Sequence, residues 1–189
     1  MKGIIFTTLG DLVEERYGFE TWTHLLESTP LASHGIYTTG GTYSDEELFA
    51  LVTRLSQEKD IPIQTLIEAF GMYMFPVLVK KYPIFVKPDM SLKTFLQSVD
   101  SIIHIEVLKL NPGARLPTIA SEDLGDAGLV MNYRSPRKLC ALAIGLIKGA
   151  ALHFNTSVKV LQPQCMHEGA EFCRLEVYIE KQTDNTVRL

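Results

Sequence analysis

Apolar residues recur at helical spacing through roughly the first 110 positions, then give way to short runs of strand character. Ile5, Leu9, Leu12, Val13 and Tyr17 trace one face of a first helix that stops at Gly18, a residue suited to a C-cap. A second short helix over 20–26 is closed by Pro30, and residues 32–43, with Gly35, Gly40 and Gly41, read as loop. Ser44 followed by Glu47 predicts a capping box that opens a helix with Leu48, Leu51, Val52 and Leu55 on one face. Pro62 starts the next helix, which runs to Phe75 and should kink or break at Pro76. Ser91 caps a long helix whose buried stripe is Leu92, Phe95, Leu96, Val99 and Ile103, ended by Asn111-Pro112-Gly113. Beyond it, 116–120 and 129–133 are strands joined by a glycine-containing turn, 138–154 is an apolar helix with small residues, and 157–161 and 172–179 are strands around Glu168-Gly169.

The expected fold is therefore α+β, with a helical N-terminal lobe and a C-terminal lobe built from a four-stranded antiparallel sheet plus a helix. The chain of 189 residues suits a single domain, 1–189, whose helical lobe covers about 1–60 and whose remaining helices and sheet cover about 61–189. No repeat, low-complexity segment or linker interrupts it.

Composition narrows the function classes. At 46% hydrophobic residues the chain can form an ordinary interior, and a formal charge of −4 with no basic block argues against a nucleic-acid surface. The start, Met1 to Phe6, resembles the head of a signal peptide, but Asp11, Glu14, Glu15 and Arg16 cut the apolar run short. No uncharged apolar run reaches the roughly 18 residues a membrane helix needs, so neither a membrane nor an export route is expected and the cytoplasm is the default. Three cysteines, Cys140, Cys165 and Cys173, suit reduced thiols or metal ligands better than a disulfide framework.

Three features can carry chemistry, and each has a plain structural alternative. His104 lies among apolar neighbours on the long helix, eight residues after Leu96 and three before Val107. Its buried imidazole must be hydrogen-bonded, paired or bound to a metal, and the plain alternative is a core histidine bonded to a backbone carbonyl. Tyr133-Arg134-Ser135-Pro136-Arg137 places two hydroxyls and a guanidinium at alternating positions, able to converge on a carboxylate or phosphate. The same five residues fit a helix start, with Ser135 as N-cap, Pro136 at the first position and an exposed arginine. Cys165 and Cys173 are symmetric about Gly169 and would face each other across a hairpin, where Cys140 and His167 could complete a Cys3His zinc site. Three ordinary cysteines, two of them able to oxidise, is the alternative. No phosphate-binding glycine loop, dinucleotide fingerprint or nucleophile elbow is present, and no carboxylate pair stands out, so the chain does not read as an enzyme. Phe70, Met72, Met74 and Phe75 could line a cofactor pocket or be plain core.

His104 on the long helix, followed about 30 residues later by Tyr-x-Ser-x-Arg (Tyr133, Ser135, Arg137), resembles the H-NOX family of haem nitric oxide/oxygen binding domains, as does the start Met1-Lys2-Gly3-Ile4-Ile5. The resemblance covers essentially the whole chain and is to the stand-alone bacterial nitric oxide sensors. It implies haem b held between the two lobes, with His104 as the axial iron ligand, Tyr133, Ser135 and Arg137 on the propionates, and Pro117 pressing on the porphyrin. The distal side would come from Ile5, Leu9, Met74, Leu142 and Leu146. Oxygen-binding members carry a tyrosine at the position of Leu142, so the resemblance implies nitric oxide and carbon monoxide as ligands and excludes dioxygen. Some members also bind zinc through cysteines matching Cys140, Cys165 and Cys173, with a histidine where this chain has Gln162; either His167 substitutes as fourth ligand or the site is incomplete. The implied mechanism is that nitric oxide weakens or breaks the Fe–His104 bond and changes regulation of a signalling enzyme acting in trans, because the chain ends soon after its last strand. That partner would be a sensor histidine kinase of two-component signalling, or alternatively a cyclic-di-GMP enzyme. The rival readings are a haem enzyme and a zinc- and cysteine-dependent redox sensor with haem as a second input.

Overall fold

The computed structural model describes residues 1–180. Helices α1 (Gly3–Tyr17), α2 (Phe19–Ser28), α3 (Asp45–Lys59) and α4 (Ile63–Lys81) come first. Gly18 ends α1 with φ +89° and its N–H bonded to the Glu14 carbonyl, the C-cap its residue type predicts. Ser44 caps α3 by accepting from the Glu46 N–H at 3.2 Å. The predicted reciprocal half of the box does not form. Glu47 is buried and instead accepts from the Ser33 hydroxyl at 2.5 Å and the Tyr37 hydroxyl at 2.7 Å. A buried carboxylate with two hydroxyl donors gains more there than from one solvent-facing N–H.

Pro76 does not break α4, which continues to Lys81. The helix lies along α7 (Cys140–His153), and this contact holds its course. A Cβ on Gly71 would lie 2.5 Å from the Leu142 carbonyl oxygen, and one on Gly145 would lie 2.0 Å from that of Glu68, so the two backbones touch where only glycine fits. The Met72 carbonyl, which the Pro76 ring deprives of its N–H partner, sits against Gly149.

The long helix forms in three parts: α5 (Leu92–Ser98), a π-helical segment Val99–His104, and α6 (Ile105–Leu110). Ser91 caps α5 by accepting from Thr94 N–H at 3.1 Å, as predicted. Strands β1 (Thr118–Asp123), β2 (Gly128–Arg134), β3 (Val158–Gln164) and β4 (Cys173–Ile179) make an antiparallel sheet in the order β1-β2-β4-β3. The α+β expectation holds.

Two apolar clusters form the interior. One joins α1, α2, α3 and the first part of α4; the other joins the end of α4, α5, the sheet and α7. Helix α4 supplies both, Phe70 and Met74 to the first and Phe75 to the second, so the lobes share an element rather than divide at a residue. No single helix among the described residues is long and apolar enough to cross a membrane.

Candidate functional site

An apolar cavity lies between the two clusters. Its volume is about 330 Å³. Its wall includes Ile5, Met74, Leu142 and Leu146, which belong to or pack against the first cluster, and Phe95, Val99 and Ile103, which belong to or pack against the second, together with His104, Pro117, Tyr133, Ser135 and Arg137. Most of the residues that the resemblance assigns to a haem site thus come together. Leu9, Phe70 and Met72 are not wall residues: Leu9 and Phe70 are buried in the first apolar cluster, and Ile4, which the sequence reading passed over, takes a place beside Ile5. The helical turn separating Ile5 from Leu9 carries the latter away from the cavity.

The His104 side chain is 17% exposed, and its Nδ1 lies 3.3 Å from Asp100 Oδ1. Burial holds the imidazole below its ordinary pKa against the opposing carboxylate, favouring the neutral form that ligates metals. With Nδ1 engaged, Nε2 is the ring nitrogen left for an iron in the cavity. The plain alternative, a histidine bonded to a backbone carbonyl, is not what the structure contains: its partner is a carboxylate.

Tyr133 ends the buried run of β2, with the Ser135 side chain and the Leu139 backbone close to its hydroxyl. Burial raises its pKa, keeping the hydroxyl a neutral donor. The Ser135 hydroxyl accepts from the Arg137 N–H at 3.3 Å. Residues 135–138 form a turn with Lys138 at φ +51°, and α7 begins only at Cys140. The helix-cap alternative therefore fails, and Arg137 is not the exposed residue it required, being 14% exposed. Its Nε donates to Asp45 Oδ2 at 2.6 Å and its Nη1 to the Arg115 carbonyl at 2.5 Å.

Asp45 also meets the Met1 ammonium at 2.8 Å. Burial alone would raise the Asp45 pKa, but Arg137 and the ammonium outweigh it and hold the carboxyl below its usual range. Met1, Lys2, Arg115 and Arg137 all line the cavity, so an apolar body is rimmed by cations and hydroxyls. That donor set fits a flat apolar molecule carrying carboxylates, with a histidine to hold its metal: the chemistry of haem. Asp45 and Arg115 were missed because nothing local in the sequence marks them.

The three thiols form a second cluster. Sγ of Cys165 lies 3.9 Å from that of Cys140 and 4.0 Å from that of Cys173, and all three fall within 4.8 Å of one another. A tetrahedral zinc with bonds of about 2.3 Å has sulfur–sulfur edges of about 3.8 Å, so the spacing fits. Burial pushes the Cys173 thiol up to about 12 and raises Cys140 as well, so without a cation these thiols stay protonated. His167 does not join them: it is exposed, with Nε2 2.7 Å from the Lys138 carbonyl oxygen. The short helical turn Met166–Glu168 swings it off the strand line. Gln162 lies near Cys140 instead, with its Nε2 buried and without a hydrogen-bond partner.

The Haem-NO-binding family profile matches residues 2–162. An H-NOX protein from S. oneidensis solved in the Fe(II)NO ligation state is 34% identical, covers 96% of this chain and 100% of that one, and superposes with a TM-score of 0.90. The solution structure of the S. oneidensis H-NOX domain in the Fe(II)CO state is 35% identical over 97% of this chain and 100% of that one, with a TM-score of 0.85. The soluble guanylate cyclase gcy-32 of Caenorhabditis elegans is 25% identical over 80% of this chain and 23% of its own length, so the chain spans about a quarter of that relative. With the same fold from end to end and the family profile over most of its length, this chain belongs to the H-NOX family, the haem-based gas-sensor domains to which those of soluble guanylate cyclase are related.

Proposed function

We propose that the protein is a haem-based nitric oxide sensor that binds nitric oxide and carbon monoxide, excludes dioxygen, and regulates a partner enzyme in trans. The observation that carries the proposal is the contrast between the walls. His104 stands on one side, while Ile5, Met74, Leu142 and Leu146 offer no hydrogen-bond donor on the other. Bound dioxygen carries partial negative charge and needs such a donor; nitric oxide binds ferrous haem tightly without one. Haem b would supply the ligand-binding iron, held from the protein side by His104, and nitric oxide binding there would loosen that hold.

This chain's residues do the rest. His104 holds the iron side, Tyr133, Ser135 and Arg137 receive the propionates, and Pro117 packs against the ring. Release of His104 frees the α5–α6 helical run from the site, biasing a two-state rearrangement of the lobes around the shared helix α4. The partner we propose is a cytoplasmic sensor histidine kinase, with a cyclic-di-GMP enzyme as the alternative. No catalytic constellation is proposed for the domain itself. Structural zinc on Cys140, Cys165 and Cys173 is the second part of the proposal, with Gln162 or water completing the site. The sulfur spacing also favours a second reading, in which Cys165 pairs oxidatively with either neighbour and the cluster is a redox input.

Absorption spectra of the ferrous protein, in air and with nitric oxide, test the main proposal. A haem band that shifts with nitric oxide and not with air is expected. A stable oxygenated spectrum overturns the ligand assignment, and a colourless protein that takes up no haem overturns the whole.

A further inference from the structure

One oxygen of Asp100 has two partners. Oδ1 lies 3.3 Å from His104 Nδ1 and accepts the Ile119 backbone N–H at 3.1 Å. Asp100 and His104 both lie in the π-helical segment Val99–His104, whose wider turn departs from the helix on either side. Ile119 belongs to β1, the edge strand of the sheet, two residues after Pro117. An edge strand presents N–H groups with no neighbouring strand to take them, and Asp100 takes one. A single carboxylate oxygen thus joins the imidazole to the sheet.

We propose that Asp100 is a positioning residue that sets the strength of the iron–His104 bond and couples that bond to β1; the proposal rests on the haem reading above. Accepting from Nδ1–H fixes the tautomer with the lone pair on Nε2, and an anionic acceptor increases the electron density the ring can donate. Because the same oxygen holds Ile119, withdrawal of His104 from the cavity changes the geometry at the sheet edge as well. The sheet therefore receives the state of the iron bond through one hydrogen-bonded atom, with no contact to the gas.

Asp100→Asn tests this in the haem-loaded protein, because asparagine keeps an acceptor for Ile119 N–H and removes the negative charge facing His104. In the unliganded ferrous variant the iron–histidine stretching frequency should fall, and the reduction potential should rise because the ferric state loses an anionic donor. The share of nitric oxide adduct with the histidine bond broken should form about tenfold faster, the size typical of an outer-shell change at a metal. Unchanged frequency and potential overturn the proposal. A variant spectrum unchanged from that of a wild type showing the iron–histidine mode is distinguishable from failure of the haem reading, in which the wild type itself shows no such mode. Should the variant not fold, the wild type still decides: the His104 Nδ1 proton in the diamagnetic carbon monoxide form should exchange slowly, and exchange at the solvent rate overturns the proposal.

Discussion

Replacing Gly145 with alanine sets two effects of opposite sign against each other. Glycine within a helix is about 1 kcal/mol less favourable than alanine, so propensity alone predicts a stabilised protein. The new Cβ, however, would sit 2.0 Å from the Glu68 carbonyl oxygen and 2.8 Å from the Gly71 Cα. Both obstacles are backbone, and Gly71 in turn has no room to yield, with the Leu142 carbonyl 2.5 Å from where its own Cβ would be. Restoring ordinary contact requires α4 and α7 to part by roughly 1 Å, a gap that forfeits much of the dispersion energy along their interface. Overpacking costs about 1–3 kcal/mol, and two rigid backbones place this case at or beyond the upper end. The net expectation is a loss of about 2 kcal/mol, or about 4–8 °C in Tm for a domain of this size. Urea and thermal unfolding followed by far-ultraviolet circular dichroism, with haem occupancy matched, measure it. Gly40, which has open space around it and no positive φ, supplies the control, and its alanine variant should change stability by less than about 0.5 kcal/mol. A Gly145→Ala protein as stable as the wild type, or more so, would refute the close approach of the helices. Because Met74 sits on one helix and Leu142 and Leu146 on the other, the variant should also perturb the haem spectrum.

Asp45 gives a pH-dependent prediction. Its folded pKa is depressed, so its contribution is present above the ordinary carboxyl value of 3.8 that the unfolded chain shows, and is lost as pH falls through the lower folded value. Asp45→Asn should therefore lower Tm at neutral pH and flatten the Tm profile below about pH 4; parallel profiles would contradict the ion-pair assignment. Arg137→Ala removes a charged donor from the cavity rim, and hydrogen bonds to charged groups are worth about 1.5–3 kcal/mol. Haem should then transfer to an apoglobin acceptor about ten- to a hundredfold faster, and an unchanged rate would remove Arg137 from the propionate site. Protein purified without chelator should contain stoichiometric zinc that is lost in Cys165→Ser, while replacing His167 with alanine should leave the metal content unchanged. Zinc-free wild type would leave the thiol cluster to the redox reading.

Local order was legible in the sequence because caps and periodicity are written into neighbouring residues. Ser91 and Gly18 act where their types predict, and the symmetry of Cys165 and Cys173 about Gly169 placed their sulfurs 4.0 Å apart. Tyr133, Ser135 and Arg137 all line the cavity, but only Tyr133 does so from a strand; the turn over 135–138 delivers the other two, which alternation by itself does not dictate. The sequence alone did not say which apolar face lines a cavity and which fills a core: Ile5 and Leu9 read alike, and only the packing of α1 against α2 and α3 separates them. Nor did it mark Gln162 rather than His167 as the neighbour of the thiols, because that depends on how a three-residue turn swings a ring. Pro76 was overridden by the contact of α4 with α7, an interaction between segments far apart in the chain. The ties that fix the site are of the same kind. Arg137 reaches Asp45 across 92 residues and Asp100 reaches Ile119 across 19. Periodicity dictates what each segment buries; only the folded chain decides which charged and polar groups meet, because those partners are chosen by proximity in space and carry no local signal.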